Sequence, residues 1–185
     1  MRVISGSAKG RSLKAVPGMG TRPTTDKVKE AIFSMIGPYF DGGVVLDLFA
    51  GTGGLGIEAL SRGMERSIFI DIEKKSVDTV QHNLAASGLK ERAEVYRNDA
   101  GRALKALAKR GMQFDLVFLD PPYRMKWTAD LIGTMEQLGL LQTHAIVVAE
   151  HDGADVLPEE VSGLTQERRA EYGETAVTIY RRRSL

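Results

Sequence analysis

The four residues Asp120-Pro121-Pro122-Tyr123 close the apolar run "FDLVFL" and carry the most pointed chemistry in the sequence. Phe114, Leu116, Val117, Phe118 and Leu119 make that run apolar enough for a strand covered on both faces, as in a parallel sheet. Two prolines must end such a strand, because neither has an N–H to give to the ladder. Each fixes its own φ and holds the residue before it in an extended conformation. A carboxylate, a carbonyl and an aromatic ring therefore leave the strand in a fixed arrangement. That rigidity suits a site that grips a planar group.

A second constellation lies upstream. In "VVLDLFAGTGGLGIEAL", Gly51, Gly53 and Gly56 satisfy G-x-G-x-x-G after an apolar strand. The pattern alone fits a dinucleotide, but Asp47 stands four residues before Gly51, where a pyrophosphate would be repelled. A ligand with a positive amino group and a sulfonium fits better. S-adenosylmethionine is such a ligand, with Asp47 on its amino group and Ala50 and the three glycines letting the backbone come close. Asp71 lies twenty residues after Gly51 at the end of "FID", the place of an acid that accepts ribose hydroxyls. Glu73 is the less suited neighbour, and Asp99 in "YRNDAGRAL" is placed to receive the adenine amino group. Asp47, Asp71, Asp99 and Asp120 all end strands, on the rim where such sheets bind ligands. No serine or cysteine nucleophile elbow is present, the chain has no cysteine, and His82, His144 and His151 lack ligand spacing. No metal is expected. Trp127 is read as the anchor of a helix start.

The elements that must position these residues follow from hydrophobic periodicity. Strands are expected at 44–48, 67–71, 93–97, 114–119 and 145–150, and helices at 55–61, 74–87, 101–110 and 128–138. This alternation is the signature of a doubly wound α/β sheet. Residues 164–172 and 175–180 read as two antiparallel strands joined at Gly173. In the first forty residues, 2–5 and 11–15 flank the turn "GSAKG" and form a small hairpin. A helix follows in "TRPTTDKVKEAIFSMI", with Val28, Ile32, Met35 and Ile36 inside and Lys27, Lys29 and Glu30 outside. Residues 1–40 are thus a hairpin-and-helix extension packed on a main domain of 41–185.

With 185 residues, 43% hydrophobic and 26% charged, the composition fits one soluble domain with an ordinary core. No apolar run is long enough for a signal peptide or a membrane span, so a cytoplasmic monomer is expected. The net charge of +1 hides an asymmetry: residues 1–40 hold seven basic residues against two acids, the remainder 18 against 22. A basic lip of this kind fits a polyanion. Lys9, Arg11 and Lys14 on the hairpin are assigned to phosphates, and Arg22 to the mouth of the pocket.

With its glycine loop, ribose acid and DPPY in this order, the sequence resembles class I S-adenosylmethionine-dependent methyltransferases that act on exocyclic nitrogens. "MRVISGSAKGRSLKAVPGMGTRPTTDKVKEAIFSMI", "LDLFAGTGGLGIEALSRG" and "EYGETAVTIY" narrow the resemblance to the bacterial 16S rRNA guanine-N2-methyltransferase family, RsmD type, over essentially the whole chain. The resemblance implies a Rossmann-like, mostly parallel seven-stranded sheet with a C-terminal antiparallel hairpin and a small N-terminal β-hairpin and helix extension. It also implies methyl transfer to the N2 amine of a guanine in 16S rRNA, within the small subunit or an assembly intermediate. Asp120 and the Pro121 carbonyl would each accept an N–H of the amine, and Tyr123 would stack on the base. One departure is Asp71, where relatives often carry the longer Glu. Three other readings share parts of the pattern. They are an N-methyltransferase of the same clamp type acting on DNA adenine or protein glutamine, a non-catalytic S-adenosylmethionine-holding RNA assembly factor, and a dehydrogenase that Asp47 disfavours.

Overall fold

The computed structural model describes residues 1–18, 24–122 and 127–182. The chain divides into two compact units, Met1–Ala100 and Gly101–Leu185. The first unit opens with the N-terminal arm and helix α1 (Asp26–Ile36), then alternates β1 (Val44–Asp47), α2 (Gly54–Ser61), β2 (Arg66–Asp71), α3 (Lys74–Ser87) and β3 (Ala93–Arg97). Its strands pair in parallel in the order β3-β2-β1, with Val45 opposite Ser67 and Ser67 opposite Ala93. Parallel neighbours need a crossover, and α2 and α3 supply it.

Helix α4 (Ala100–Lys109) leads into the second unit, followed by β4 (Phe114–Leu119), α5 (Thr128–Gln137), β5 (Leu141–Asp152), β6 (Glu160–Val161), β7 (Leu164–Tyr172) and β8 (Thr175–Arg182). Here β4 and β5 are parallel, while β5/β8, β8/β7 and β7/β6 are antiparallel. The described residues thus hold eight strands, one more than expected. The addition is β6, whose two residues are too short to show a period. β5 also begins four residues before the expected 145, at Leu141.

The core of the first unit joins Ile57 and Leu60 of α2, Phe69 of β2, and Val80 and Leu84 of α3 to Val3, Ala8 and Leu13 of the arm. Gly56 permits the close packing of α2 on β2, since a Cβ there would lie 2.4 Å from the Phe69 ring. The arm itself differs from the expected β-hairpin. It returns on itself through a single antiparallel bridge, Arg2 to Ser12, flanked by Val3 N–H to Arg11 O and Leu13 N–H to Met1 O, both 2.9 Å. Four amides between the bridge and the turn go to α2: Ile4 and Ser5 donate to Glu58, Ser7 to the Ser61 carbonyl and Ala8 to Ser61 Oγ, while Lys9, Gly10 and Arg11 bond back to Gly6, Val3 and Ala8. A ladder cannot form where the donors are spent elsewhere.

Helix α1 begins at Thr25, whose hydroxyl accepts the Val28 N–H at 3.3 Å. Its inner stripe is Lys29, Ile32, Phe33 and Ile36, rotated from the expected one. Met35 is half-buried, and Lys29, expected outside, is only 1% exposed. The reason lies outside the helix, in an acid of α2 described below.

Candidate active site

The glycine loop between β1 and α2 is fastened by the two acids that end its flanking strands. Asp47, 3% exposed, accepts the Gly56 N–H through Oδ2 at 3.1 Å. Asp71 accepts the Gly51 N–H through Oδ2 and the Glu73 N–H through Oδ1, each at 2.9 Å. The Ala50 N–H donates to the Ile70 carbonyl at 2.9 Å, the Gly53 N–H to the Ala50 carbonyl at 2.8 Å, and the Gly54 N–H to Thr52 Oγ1 at 3.1 Å. Gly53 adopts a left-handed conformation, with φ of 80°, to turn the loop into α2. In a dinucleotide fold, loop amides of this kind cradle a pyrophosphate. Here carboxylates already take the Gly51 and Gly56 donors, which makes the loop a poor anion site and a good neighbour for a cationic ligand.

Asp99 stands exposed directly before α4, two residues beyond the end of β3. The Asn98 N–H donates to the Asp71 carbonyl at 3.0 Å, so the ends of β2 and β3 are tied together beside it. The structure thus gathers Ala50, Gly51, Gly53, Gly56, Asp47 and Asp71 around one loop and sets Asp99 one residue from that tie.

Periodicity missed two polar residues behind the loop. Asn83 of α3, fully buried, accepts the Lys14 N–H at 2.7 Å and donates to the Lys14 and Thr52 carbonyls at 3.0 and 2.9 Å. One side chain thereby clamps the arm to the glycine loop. The signal for it is a polar residue between Val80 and Leu84 in a buried helical stripe.

Glu58 of α2 is the other. Its carboxylate is 0% exposed and accepts Arg62 Nε at 2.7 Å, the Ile4 N–H at 2.9 Å and the Ser5 N–H at 3.1 Å. Lys29 Nζ lies 3.4 Å away and donates to the Arg2 carbonyl at 2.5 Å. Burial pushes the Lys29 ammonium below its usual range, and Glu58 beside it pulls the other way. The Arg62 guanidinium also lies 4.9 Å from the Phe33 ring centroid and 5.9 Å from that of Tyr39. A lone acid within the otherwise small and apolar "GLGIEALS" is the sequence signal.

In the second unit, Asp120 is half-buried, Pro121 buried and Pro122 exposed as the chain leaves β4. Tyr123, expected to stack on the substrate, lies outside the described residues, as does Arg22. Pro121 and Pro122 line a cavity of about 300 Å³ with Thr128, Glu150, His151 and Leu157 among its other walls. His151 has both ring nitrogens occupied, Nδ1 with the Asp152 carbonyl at 2.9 Å and Nε2 with Thr178 Oγ1 at 2.7 Å. It builds the wall. Trp127, directly before α5, leaves 38% of its surface exposed.

On the arm, Lys9, Arg11 and Lys14 are exposed, and Arg2 Nε lies 3.6 Å from Asp26. The burial of Lys29 takes one cation out of the expected basic lip.

Comparison with known proteins places the family and the fold. The family described as "Conserved hypothetical protein 95" matches residues 1–181. The chain is 57% identical over 183 residues to "Putative rRNA methyltransferase YlbH" of Bacillus subtilis, covering 99% of this chain and 100% of that protein. It is 32% identical over 182 residues to "Ribosomal RNA small subunit methyltransferase D" of Escherichia coli, covering 98% and 90%. Among solved structures, "Putative methyltransferase yhhF from Escherichia coli" superposes with a TM-score of 0.83 at 33% identity, over 100% of this chain and 99% of the other. A matching family over nearly every residue, a shared α/β methyltransferase fold and full-length relatives lead to one conclusion. The chain belongs to the small-subunit ribosomal RNA methyltransferase D family.

Proposed function

We propose that the protein transfers a methyl group from S-adenosylmethionine to the exocyclic N2 amine of a guanine in 16S rRNA of the small ribosomal subunit. The observation that carries this reading is the exit of Asp120-Pro121-Pro122 from the parallel strand β4 beside a base-sized cavity. The acid-fastened glycine loop fits the cofactor. Asp71 keeps acceptor capacity on both oxygens for ribose hydroxyls beyond its two backbone bonds. Asp47 places negative charge where the cofactor's amino group is expected, and Asp99 stands for the adenine amino group. Ala50 and Gly51, Gly53 and Gly56 form the loop against which the cofactor lies.

When bound, S-adenosylmethionine supplies a methyl group activated by its sulfonium. The guanine amine is a weak nucleophile, because its lone pair is delocalised into the ring. Asp120 and the Pro121 carbonyl each accept one of its N–H groups, which fixes the direction of the lone pair. Such positioning contributes up to roughly 7–11 kcal/mol in favourable cases. With the cofactor held by Asp47, Asp71 and the glycine loop, its methyl carbon would pass to this nitrogen, the carbon–sulfur electrons staying on sulfur. Asp120 stabilises the positive charge that grows on nitrogen and accepts the proton. Tyr123 stacks on the base, which is splayed out to reach the clamp.

The basic arm within residues 1–40 is the RNA-facing extension of a methyltransferase domain of 41–185. Lys9, Arg11 and Lys14 meet phosphates, with Arg22 at the pocket mouth. The transfer needs no metal, since the sulfonium already activates the methyl group. The enzyme is read as a cytoplasmic monomer. No described helix is long and apolar enough to cross a membrane.

The test offers labelled S-adenosylmethionine with assembled small subunits, naked 16S rRNA, DNA and protein in parallel. Label should enter a guanine of the rRNA, and Asp120→Ala should abolish transfer while cofactor affinity is kept. Label confined to DNA or protein, or near-parental transfer by the variant, refutes the reading.

A further inference from the structure

The register of β4 and β5 places a second acid beside Asp120. Leu119, the last residue of β4, lies opposite Ala149, so Asp120, directly after β4, comes level with Glu150, two residues before the end of β5. Register neighbours on adjacent strands point to the same face of the pleat and stand about 4.8 Å apart. Glu150 is only 8% exposed, and it lines the 300 Å³ cavity together with Pro121 and Pro122. A second acid in the wall, Asp155, is half-exposed. His151 is committed to Asp152 and Thr178. The remaining lining is largely apolar, with Ala129, Val156, Leu157 and Pro158.

We propose that this cavity is the guanine subsite and that Glu150 accepts the ring N1–H, making it the residue that selects guanine. The inference rests on the function proposed above. Guanine presents N1–H and the C2 amine side by side, two adjacent donors along one edge. Two carboxylates side by side match that edge, Asp120 taking the amine and Glu150 the N1–H. Adenine and cytosine instead place a ring-nitrogen lone pair next to their exocyclic amine. Glu150 would meet that lone pair with its own, and both bases are rejected. Glu150 also interacts within the protein, but a carboxylate offers about four acceptor sites, which leaves capacity for the base. The same clamp that methylates several kinds of amine in other settings thus gains its base choice from the neighbouring strand.

Methyl transfer is measured on small subunits that carry, at the nucleotide the parent enzyme methylates, either guanine or 2,6-diaminopurine. The analogue keeps the C2 amine but has an acceptor at N1. Sites built to hydrogen-bond a group reject analogues lacking it by roughly 10⁴–10⁵-fold. The parent should favour guanine in kcat/KM by at least about 10³-fold on that scale. Glu150→Gln should lose most activity on guanine and collapse the preference, because its amide can donate to the analogue's N1. Glu150→Asp should slow transfer but keep the preference. Cofactor affinity, measured by calorimetry, should stay at the parental value in both. Equal use of both bases by the parent, or a parental preference in Glu150→Gln, overturns the assignment of Glu150. A parent that transfers nothing to guanine-bearing subunits overturns the function reading itself.

Discussion

Replacing Glu58 with glutamine should destabilise the protein by about 3–5 kcal/mol, the usual cost of removing one partner from a buried ion pair. Glutamine keeps the shape, but its single acceptor oxygen serves only one of the Ile4 and Ser5 amides, which bond different carboxylate oxygens, and it removes the charge facing Lys29 and Arg62. Both cations are nearly fully buried, with side chains 1% and 4% exposed. Their escape is to let the arm peel away and admit water. Peeling exposes Val3, Ala8 and Leu13, and burying a side chain the size of Val or Leu stabilises by about 1.5–3 kcal/mol. Two such residues put the cost of peeling in the same range as the charge penalty, so the loss should appear first as local opening of the arm. Urea unfolding would give the global loss, and hydrogen exchange at the Ile4, Ser5 and Ala8 amides would show the opening. The pH dependence has a definite sign. Lys29 is held below its ordinary value of 10.5 in the fold, so the unfolded chain binds more protons between its lowered pKa and 10.5. Stability therefore rises with pH in that window. Without Glu58 to pull it back up, Lys29 should sit lower still, and the deficit of Glu58→Gln should shrink as pH rises. Adding Lys29→Met should recover part of the loss. A Glu58→Gln variant within about 0.5 kcal/mol of the parent, with Ile4 and Ser5 still protected, would show that the acid does not hold the arm.

Asp71→Ala should weaken S-adenosylmethionine binding roughly tenfold or more in calorimetry, since it removes the proposed ribose acceptor and the anchor of the Gly51 amide. Unchanged affinity there, with Glu73→Ala weakened instead, would move the ribose contact. A Lys9/Arg11/Lys14→Ala variant should bind small-subunit RNA with a salt slope flatter by roughly 0.7–0.9 log units per lost contact, with cofactor affinity unchanged. An unaltered slope would make the arm a structural edge only. Tyr180, whose hydroxyl donates to the Pro158 carbonyl at 2.5 Å, is pushed by burial from 10.0 up to about 12. Its contribution to stability is full below pH 10 and is lost as pH rises towards 12, so Tyr180→Phe should lack that alkaline loss; matching urea profiles of parent and variant from pH 9 to 12 would contradict it.

Local pattern determined a large share of this protein. Short, mainly apolar runs marked β1 to β5, and the β7/β8 hairpin was legible around Gly173. The acids Asp47 and Asp71 were legible as well, because a strand's end is a local event and a carboxylate there is visible in the sequence. What pattern cannot carry is the identity of a partner far along the chain. Lys29 looked like a solvent-facing charge because its compensating acid, Glu58, lies on another helix. The arm looked like a β-hairpin because the α2 groups that take its amides are more than fifty residues away. Asn83 became a clamp only when α3 brought it between Lys14 and Thr52. Glu150 comes level with the exit of β4 only through the register of β4 with β5. Periodicity says which face a residue takes, whereas register and packing decide which charges and donors meet. Buried polar groups depend on those meetings, because without a partner each would cost more than its burial returns.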